Sequence, residues 1–191
     1  MLPFIVFEGI DGAGKTTLAK MLALEIGALL ITTPPKPLGV ESVRRLVDEQ
    51  TSVETRFLYY LAGDSLASDI VREARKSRFV VCDRYIHSTI IGHKLLGLSA
   101  TFDLDQFVFE QPDISFFIFV SDGEERRRRI EGRGVKTQND VFFEEEGLQK
   151  KYMDYYLRRD DFFPLDTNKD TPEDSLAKIK NELVKRGLIT T

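Results

Sequence analysis

The chain has 191 residues, 42% of them apolar and 30% charged, with a formal charge of −4. That length supports one domain, 1–191, with a full hydrophobic core, and the composition excludes a disordered or fibrous chain. A mildly acidic balance offers nothing to nucleic acid. The one cysteine, Cys82, cannot form an internal disulfide and points to a reducing, cytoplasmic setting, and no apolar run is long enough for a membrane span.

Leu2 to Phe7 (LPFIVF) reads as a buried strand. It leads directly into Gly9 to Thr16, GIDGAGKT, which has the form G-x-x-x-x-G-K-[ST]. Leu18, Met21, Leu22 and Ile26 then recur at helical spacing up to a stop at Gly27. Strand, glycine loop and helix in that order are what a polyphosphate cradle needs. Gly9, Gly12 and Gly14 let the backbone turn its N–H groups inward, and the helix N-terminus adds positive potential. Within the cradle Gly9, Gly12, Ala13, Gly14, Lys15, Thr16 and Thr17, the lysine would reach the outer phosphates. The Thr16 hydroxyl would ligate the Mg²⁺ that accompanies them.

Ala28 to Thr32 predicts a second strand, and the three prolines of Thr33 to Gly39 (TPPKPLG) make a rigid loop after it. Helices are expected over Val40 to Glu49 and Val53 to Lys76, the second burying Phe57, Leu58, Leu61, Leu66, Ile70 and Val71. Phe79 to Cys82 is a third strand, ending at Asp83. Tyr85 to Gly97 reads as helix, followed by a short helix near Leu104 to Phe109. Ile114 to Val120 (ISFFIFV) is the most apolar stretch, a central strand by its aromatic and β-branched content. Glu124 to Ile130 starts a helix that runs into Gly132-Arg133-Gly134, a charged helix covers 139–159, and Phe162 to Leu165 is a last strand. Thr171 as N-cap, Pro172 after it and Asp174 at the third position open a final helix that stops at Gly187. Strands alternating with helices predict an α/β fold of the P-loop NTPase type. Its parallel sheet of about five strands carries helices on both faces and a short arginine-rich lid, with ligands at the carboxyl ends of the strands.

Those ends carry the chemistry. Asp83 can hold Mg²⁺ or its waters, and Arg84 can grip a second phosphate bidentately. Arg126 to Arg129, Arg133 and Lys136 form a cationic segment of the kind that neutralises charge during phosphoryl transfer. A helix of about 3.6 residues per turn cannot aim four successive arginines at one site. Arg126, Arg127 and Arg128 are therefore read as a solvated face, and Arg129 and Arg133, four apart, as the acting pair. The loop TPPKPLG offers Lys36 and no acid, which favours a phosphate acceptor over a sugar hydroxyl needing a base. His87 and His93 read as ordinary polar residues, His87 at the site's edge.

FEGIDGAGKTT followed by DRYIHST resembles the thymidylate kinase family of P-loop nucleoside monophosphate kinases, with element order and spacing alike through nearly the whole chain. The resemblance implies ATP as donor with Mg²⁺, a pyrimidine nucleoside monophosphate as acceptor, dTMP first, and a homodimer. Carried onto this sequence, Lys15 and Thr16 serve ATP and its metal, and Asp11 approaches the acceptor's sugar hydroxyl. Arg84 binds its phosphate, with Tyr85 and Ser88 in the same motif. Tyr60 stacks on the base, and Arg129, Arg133 and Lys136 supply the lid cation. The sequence departs from the family pattern at TPPKP, which has only Lys36 where an arginine is usual, and at VKTQND, which lacks D-R-x-E. Ile91-Gly92-His93 replaces Y-Q-G, and Asp64 stands where an arginine reads the thymine carbonyl. A carboxylate at Asp64 facing the base would accept from an exocyclic amine and favour cytosine; the other reading makes it a solvated or lid-paired acid. TPP, DRYIHST and GRG are also similar to the mitochondrial UMP-CMP kinase branch, which keeps UMP, CMP or dCMP as the alternative acceptor. A nucleotide-gated switch is the distant alternative, since Asn168-Lys169-Asp170 lacks the spacer of the guanine motif N-K-x-D.

Overall fold

The structure is a computed structural model that describes residues 1–101, 103, 107–132, 134 and 146–190. Its strands are β1 (Phe4–Gly9), β2 (Leu29–Thr32), β3 (Val80–Asp83), β4 (Ile114–Phe119) and β5 (Phe162–Asp166). The helices among the described residues are α1 (Lys15–Glu25), α2 (Glu41–Gln50), α3 (Val53–Ala74) and α4 (Ile86–Leu95), then α5 (Gly123–Gly132), α6 (Glu146–Leu157) and α7 (Pro172–Lys185).

All pairings are parallel, in the order β2-β3-β1-β4-β5. β1 is central because every one of its residues is apolar or glycine apart from Glu8, and all are buried. Its side chains alternate between two cores, as the period of a strand requires. Phe4 and Val6 pack with Ala67, Val71, Val80 and Tyr85 on one face; Ile5 and Phe7 pack with Leu18, Leu22, Phe116 and Ile179 on the other. Helices cover both faces, so no strand needs a polar side. The chain leaves β1 toward β3 on one side and β4 on the other, and this switch in strand order opens a crevice at the carboxyl ends.

The expected strands all form, within about two residues of their predicted ends. Thr171 and Asp174 complete a reciprocal capping box at α7, as their spacing predicts. Leu58 departs from expectation: it is 52% exposed, because the buried stripe of α3 runs through Phe57, Leu61, Asp64, Ser68 and Val71. Of the short helix expected near Leu104 to Phe109, residues 104–106 lie outside the described residues and Phe107 to Phe109 are not helical. Residues 139–145 of the expected charged helix also lie outside them. No helix among the described residues is long and apolar enough to cross a membrane.

Candidate active site

The glycine loop begins where β1 ends. Gly9 has φ 144, and a Cβ there would lie 1.9 Å from the Ile118 carbonyl oxygen, so only glycine lets β1 leave the sheet alongside β4. Gly14, with φ 91, is the N-cap of α1 and provides no side-chain cap, leaving first-turn N–H groups to an anion. Lys15 is buried, and its Nζ donates to the Ile10 carbonyl at 2.7 Å and to Asp11 Oδ1 at 3.5 Å. Burial, reinforced by the Arg84 charge, pushes the Lys15 pKa down to about 8 against the pull of Asp11 and Asp83. Thr16 Oγ1 donates to Asp83 Oδ2 at 2.5 Å, and Asp83 Oδ1 is buried without a hydrogen-bond partner. A bare carboxylate oxygen beside a threonine hydroxyl fits a divalent cation that takes its other ligands from phosphate and water.

Two cavities meet here. The larger, about 540 Å³, is lined by Asp11 to Leu18 on one side and by Glu125, Arg128, Arg129 and Thr167 to Pro172 on the other. The smaller, about 90 Å³, lies between α3 and α4 and includes Thr33, Tyr60, Arg84, Ser88 and His93 in its wall. Asp11 of the first cavity and Arg84 of the second form an ion pair that joins them. Arg84 also donates to the Gly9 carbonyl at 3.3 Å and to Ser88 Oγ at 3.2 Å. Its φ of 70 is unusual for a non-glycine residue and costs about 1–2 kcal/mol. That turn at the end of β3 brings the guanidinium back over the glycine loop.

Gly12, Ala13, Gly14, Lys15, Thr16 and Thr17 line the larger cavity, and Tyr60, Arg84 and Ser88 the smaller, where the sequence expects them. Other expectations need correction. Tyr85 is 2% exposed, with its ring edge-on to Phe4 at 5.4 Å, so it belongs to the core and lines neither cavity. Lys36 is exposed and lines neither; the loop after β2 sends Thr33 into the smaller cavity instead. Gly63 allows this approach, since a Cβ there would meet the Pro34 Cβ at 2.6 Å. Arg129 does reach the larger cavity, but Glu125 Oε1 and Thr167 Oγ1 and O hold its guanidinium at 2.7, 3.0 and 2.8 Å. So anchored, it forms part of the wall of this cavity. Arg133 and Lys136 lie outside the described residues. Arg126, expected in solvent, is 2% exposed and donates from Nε to the Asp11 carbonyl at 2.9 Å. The missed signal is Ile130, an apolar residue four positions on that faces the same way and is also buried. His87 packs against Phe162 and bonds the Tyr155 hydroxyl at 3.0 Å, lining neither cavity, whereas His93, read as an ordinary polar residue, lines the smaller one.

Asp64 is fully buried and absent from the wall of the smaller cavity. Burial raises its pKa to about 8 while the Thr89 and Thr33 side chains act to lower it, and neither carboxylate oxygen completes a hydrogen bond. Glu8, also buried, is raised to about 7 by desolvation, although Ser88 and the Tyr85 and Ser88 backbone N–H groups favour its charged form. A carboxyl whose folded pKa lies above its unfolded value holds its proton more tightly in the folded state. Its contribution is therefore fully present below the ordinary carboxyl range and is lost as pH rises through the folded pKa. Asp64→Asn is expected to become progressively more stable than wild type between about pH 4 and pH 8, by on the order of a few kcal/mol. Urea unfolding of both proteins across that range checks it, and a difference independent of pH would refute it.

A glycine loop on a parallel sheet, with a second cavity joined to it through Arg84, defines a P-loop kinase of small phosphorylated substrates. The thymidylate kinase family model matches residues 7–179, and the chain belongs to the thymidylate kinase family. It is 32% identical over 188 residues to the probable thymidylate kinase of Methanocaldococcus jannaschii, a match covering 95% of this chain and 93% of the relative. The probable thymidylate kinase of Pyrococcus horikoshii is 31% identical over 204 residues, covering 95% and 97%. Among solved structures, thymidylate kinase from Candida albicans superposes with a TM-score of 0.78 at 18% identity, over 100% of this chain and 96% of that one. Deoxyadenosine kinase from M. mycoides gives 0.69 at 19% identity, over 95% and 99%, a likeness of fold alone.

Proposed function

We propose that the protein transfers the γ-phosphoryl group of ATP to dTMP, giving ADP and dTDP, and that residues 1–191 work as one kinase domain. The observation that carries this reading is the Asp11–Arg84 ion pair beside Lys15, where the two cavities meet. ATP occupies the larger cavity with its phosphates in the glycine loop, and dTMP the smaller with its phosphate on Arg84. An acceptor phosphate is already a nucleophile, so the site needs cations and alignment more than a base. Lys15 neutralises charge on the transferred group, and Asp11 takes the acceptor's sugar hydroxyl, the role its family resemblance implies. Thr16 and Asp83 hold Mg²⁺, which supplies charge stabilisation on the phosphate oxygens when bound.

The argument for cytosine from Asp64 loses its support, since Asp64 is buried and absent from the cavity wall, while the likeness of TPP, DRYIHST and GRG to the UMP-CMP kinase branch keeps UMP, CMP or dCMP as the alternative acceptor. In this reading Tyr60 stacks on the base, which its position in the lining of the smaller cavity and the hold of Asp48 on its hydroxyl at 3.0 Å support. The reading includes a homodimer in the cytoplasm. Val43 and Leu46 on α2 and Leu58 on α3 are 40%, 51% and 52% exposed, apolar surface that a second copy would cover.

ADP release with ATP and Mg²⁺ tests the reading against dTMP, dUMP, UMP, CMP, dCMP, AMP and GMP. Turnover with dTMP well above the others is expected. Turnover unaffected by any monophosphate would refute a kinase of this class.

A further inference from the structure

α4 turns one face to the smaller cavity, with Ser88, Thr89, Gly92 and His93 along it. Arg84 lies just before this face, and a rise of about 1.5 Å per residue carries His93 roughly 7 Å beyond Ser88 along the helix axis. The wall thus runs from the phosphate end toward the base. At its far end the His93 ring is 5% exposed, with the rings of Phe57 and Tyr60 each 5.6 Å away.

The hydrogen bonding of this histidine decides what it can read. Nδ1 lies 2.7 Å from the Thr89 carbonyl oxygen. A carbonyl only accepts, so Nδ1 carries the hydrogen. Burial lowers the imidazole pKa, with Thr89 opposing and Arg56 reinforcing, which keeps the ring neutral at neutral pH. Nε2 is therefore a bare acceptor, and it is buried with no hydrogen-bond partner in the protein. A buried acceptor left this way costs about 1–3 kcal/mol, which a donor on a ligand would recover. The neighbouring cations supply the opposite complement. Arg44 and Arg56 both line the cavity: Arg44 leaves its Nε without a hydrogen bond, Arg56 donates to the Asp48 carbonyl and pairs with the Asp48 carboxylate at 3.9 Å, and that carboxylate also accepts from the Tyr60 hydroxyl. One acceptor among donors matches a base edge with an N–H between two carbonyls, as in thymine and uracil. Cytosine would set its own unprotonated N3 against Nε2 and leave both acceptors unpaired.

We propose that His93 Nε2 accepts the N3–H of the acceptor base and so selects thymine or uracil against cytosine. This rests on the kinase reading above and adds the residue that sets base choice. His93→Phe keeps an aromatic ring against Phe57 and Tyr60 but removes the acceptor. With wild type, kcat/KM for dTMP is expected to exceed that for dCMP by about a hundredfold or more. In the variant that ratio should fall at least about tenfold, through a higher KM for dTMP, with KM for ATP unchanged. An unchanged ratio in an active variant overturns the inference. Wild type that phosphorylates no monophosphate removes the kinase reading, and this inference with it. Should the variant not fold, ¹⁵N NMR of wild type decides the question, with only two histidines to assign. The His93 Nε2 resonance should begin at the position of an unprotonated nitrogen, move upfield on addition of dTMP and stay in place with dCMP. A resonance unmoved by dTMP, or an Nε2–H tautomer, overturns it.

Discussion

Lys15→Met is expected to lower kcat by about a thousandfold, close to 4 kcal/mol of transition-state stabilisation, while the nucleotide-free protein unfolds at the same temperature as wild type or a higher one. The two halves of this result have one cause. Lys15 is 5% exposed and satisfied by one carbonyl and a longer contact to Asp11, an incomplete shell for an ammonium group taken out of water. Its depressed pKa, about 8, reports the same penalty. Methionine fills similar volume without a charge to desolvate, so stability is kept or gained. What it cannot do is neutralise the charge that builds on the phosphate oxygens. Steady-state kinetics and thermal unfolding of the variant check both halves. Activity within tenfold of wild type would remove Lys15 from the mechanism, and a steep fall in Tm would show that the lysine holds the loop together.

Arg84→Lys is expected to reduce kcat/KM for dTMP by on the order of a hundredfold or more while KM for ATP changes only a few-fold. The guanidinium spans three partners at once: Asp11, the Gly9 carbonyl and Ser88 Oγ. An ammonium is a single point and cannot hold a phosphate bidentately from the same backbone position. The positive φ of Arg84 makes that position unforgiving, since the side chain enters from a strained turn with its direction already set. Equal losses for donor and acceptor would instead mean that Arg84 supports the loop as a whole. Titrating each substrate at saturating levels of the other separates the outcomes.

The features legible in the sequence are those whose physics is local. The glycine loop declares itself because tight turns, inward N–H groups and a lysine at fixed spacing all lie within eight residues, Gly9 to Thr16. The capping box at Thr171 and Asp174 spans four. Apolar strands alternating with helices predict a parallel sheet, because runs like ISFFIFV are covered on both faces only in such a layered fold. Asp64 was half legible. It falls three residues after Leu61 and seven after Phe57, on the stripe that α3 buries, and a helical period read strictly would have placed it inside.

The sequence by itself thus determined the sheet, the phosphate loop and the strand ends that carry Asp83 and Arg84. Only the tertiary structure decided which side chains meet there. Arg126 to Arg129 are four identical residues, yet α5 lies against the glycine loop so that Arg126 reaches the Asp11 carbonyl and Arg129 reaches Thr167. Arg44 and Asp48 come from α2 and His93 from α4, more than forty residues apart, and no short pattern joins them. The reason is that helical period fixes the angle between side chains on one element, while the element's docking fixes what each angle faces. Docking depends on the shape of the whole core. Composition and spacing therefore give the class of chemistry, and packing assigns the residues that perform it.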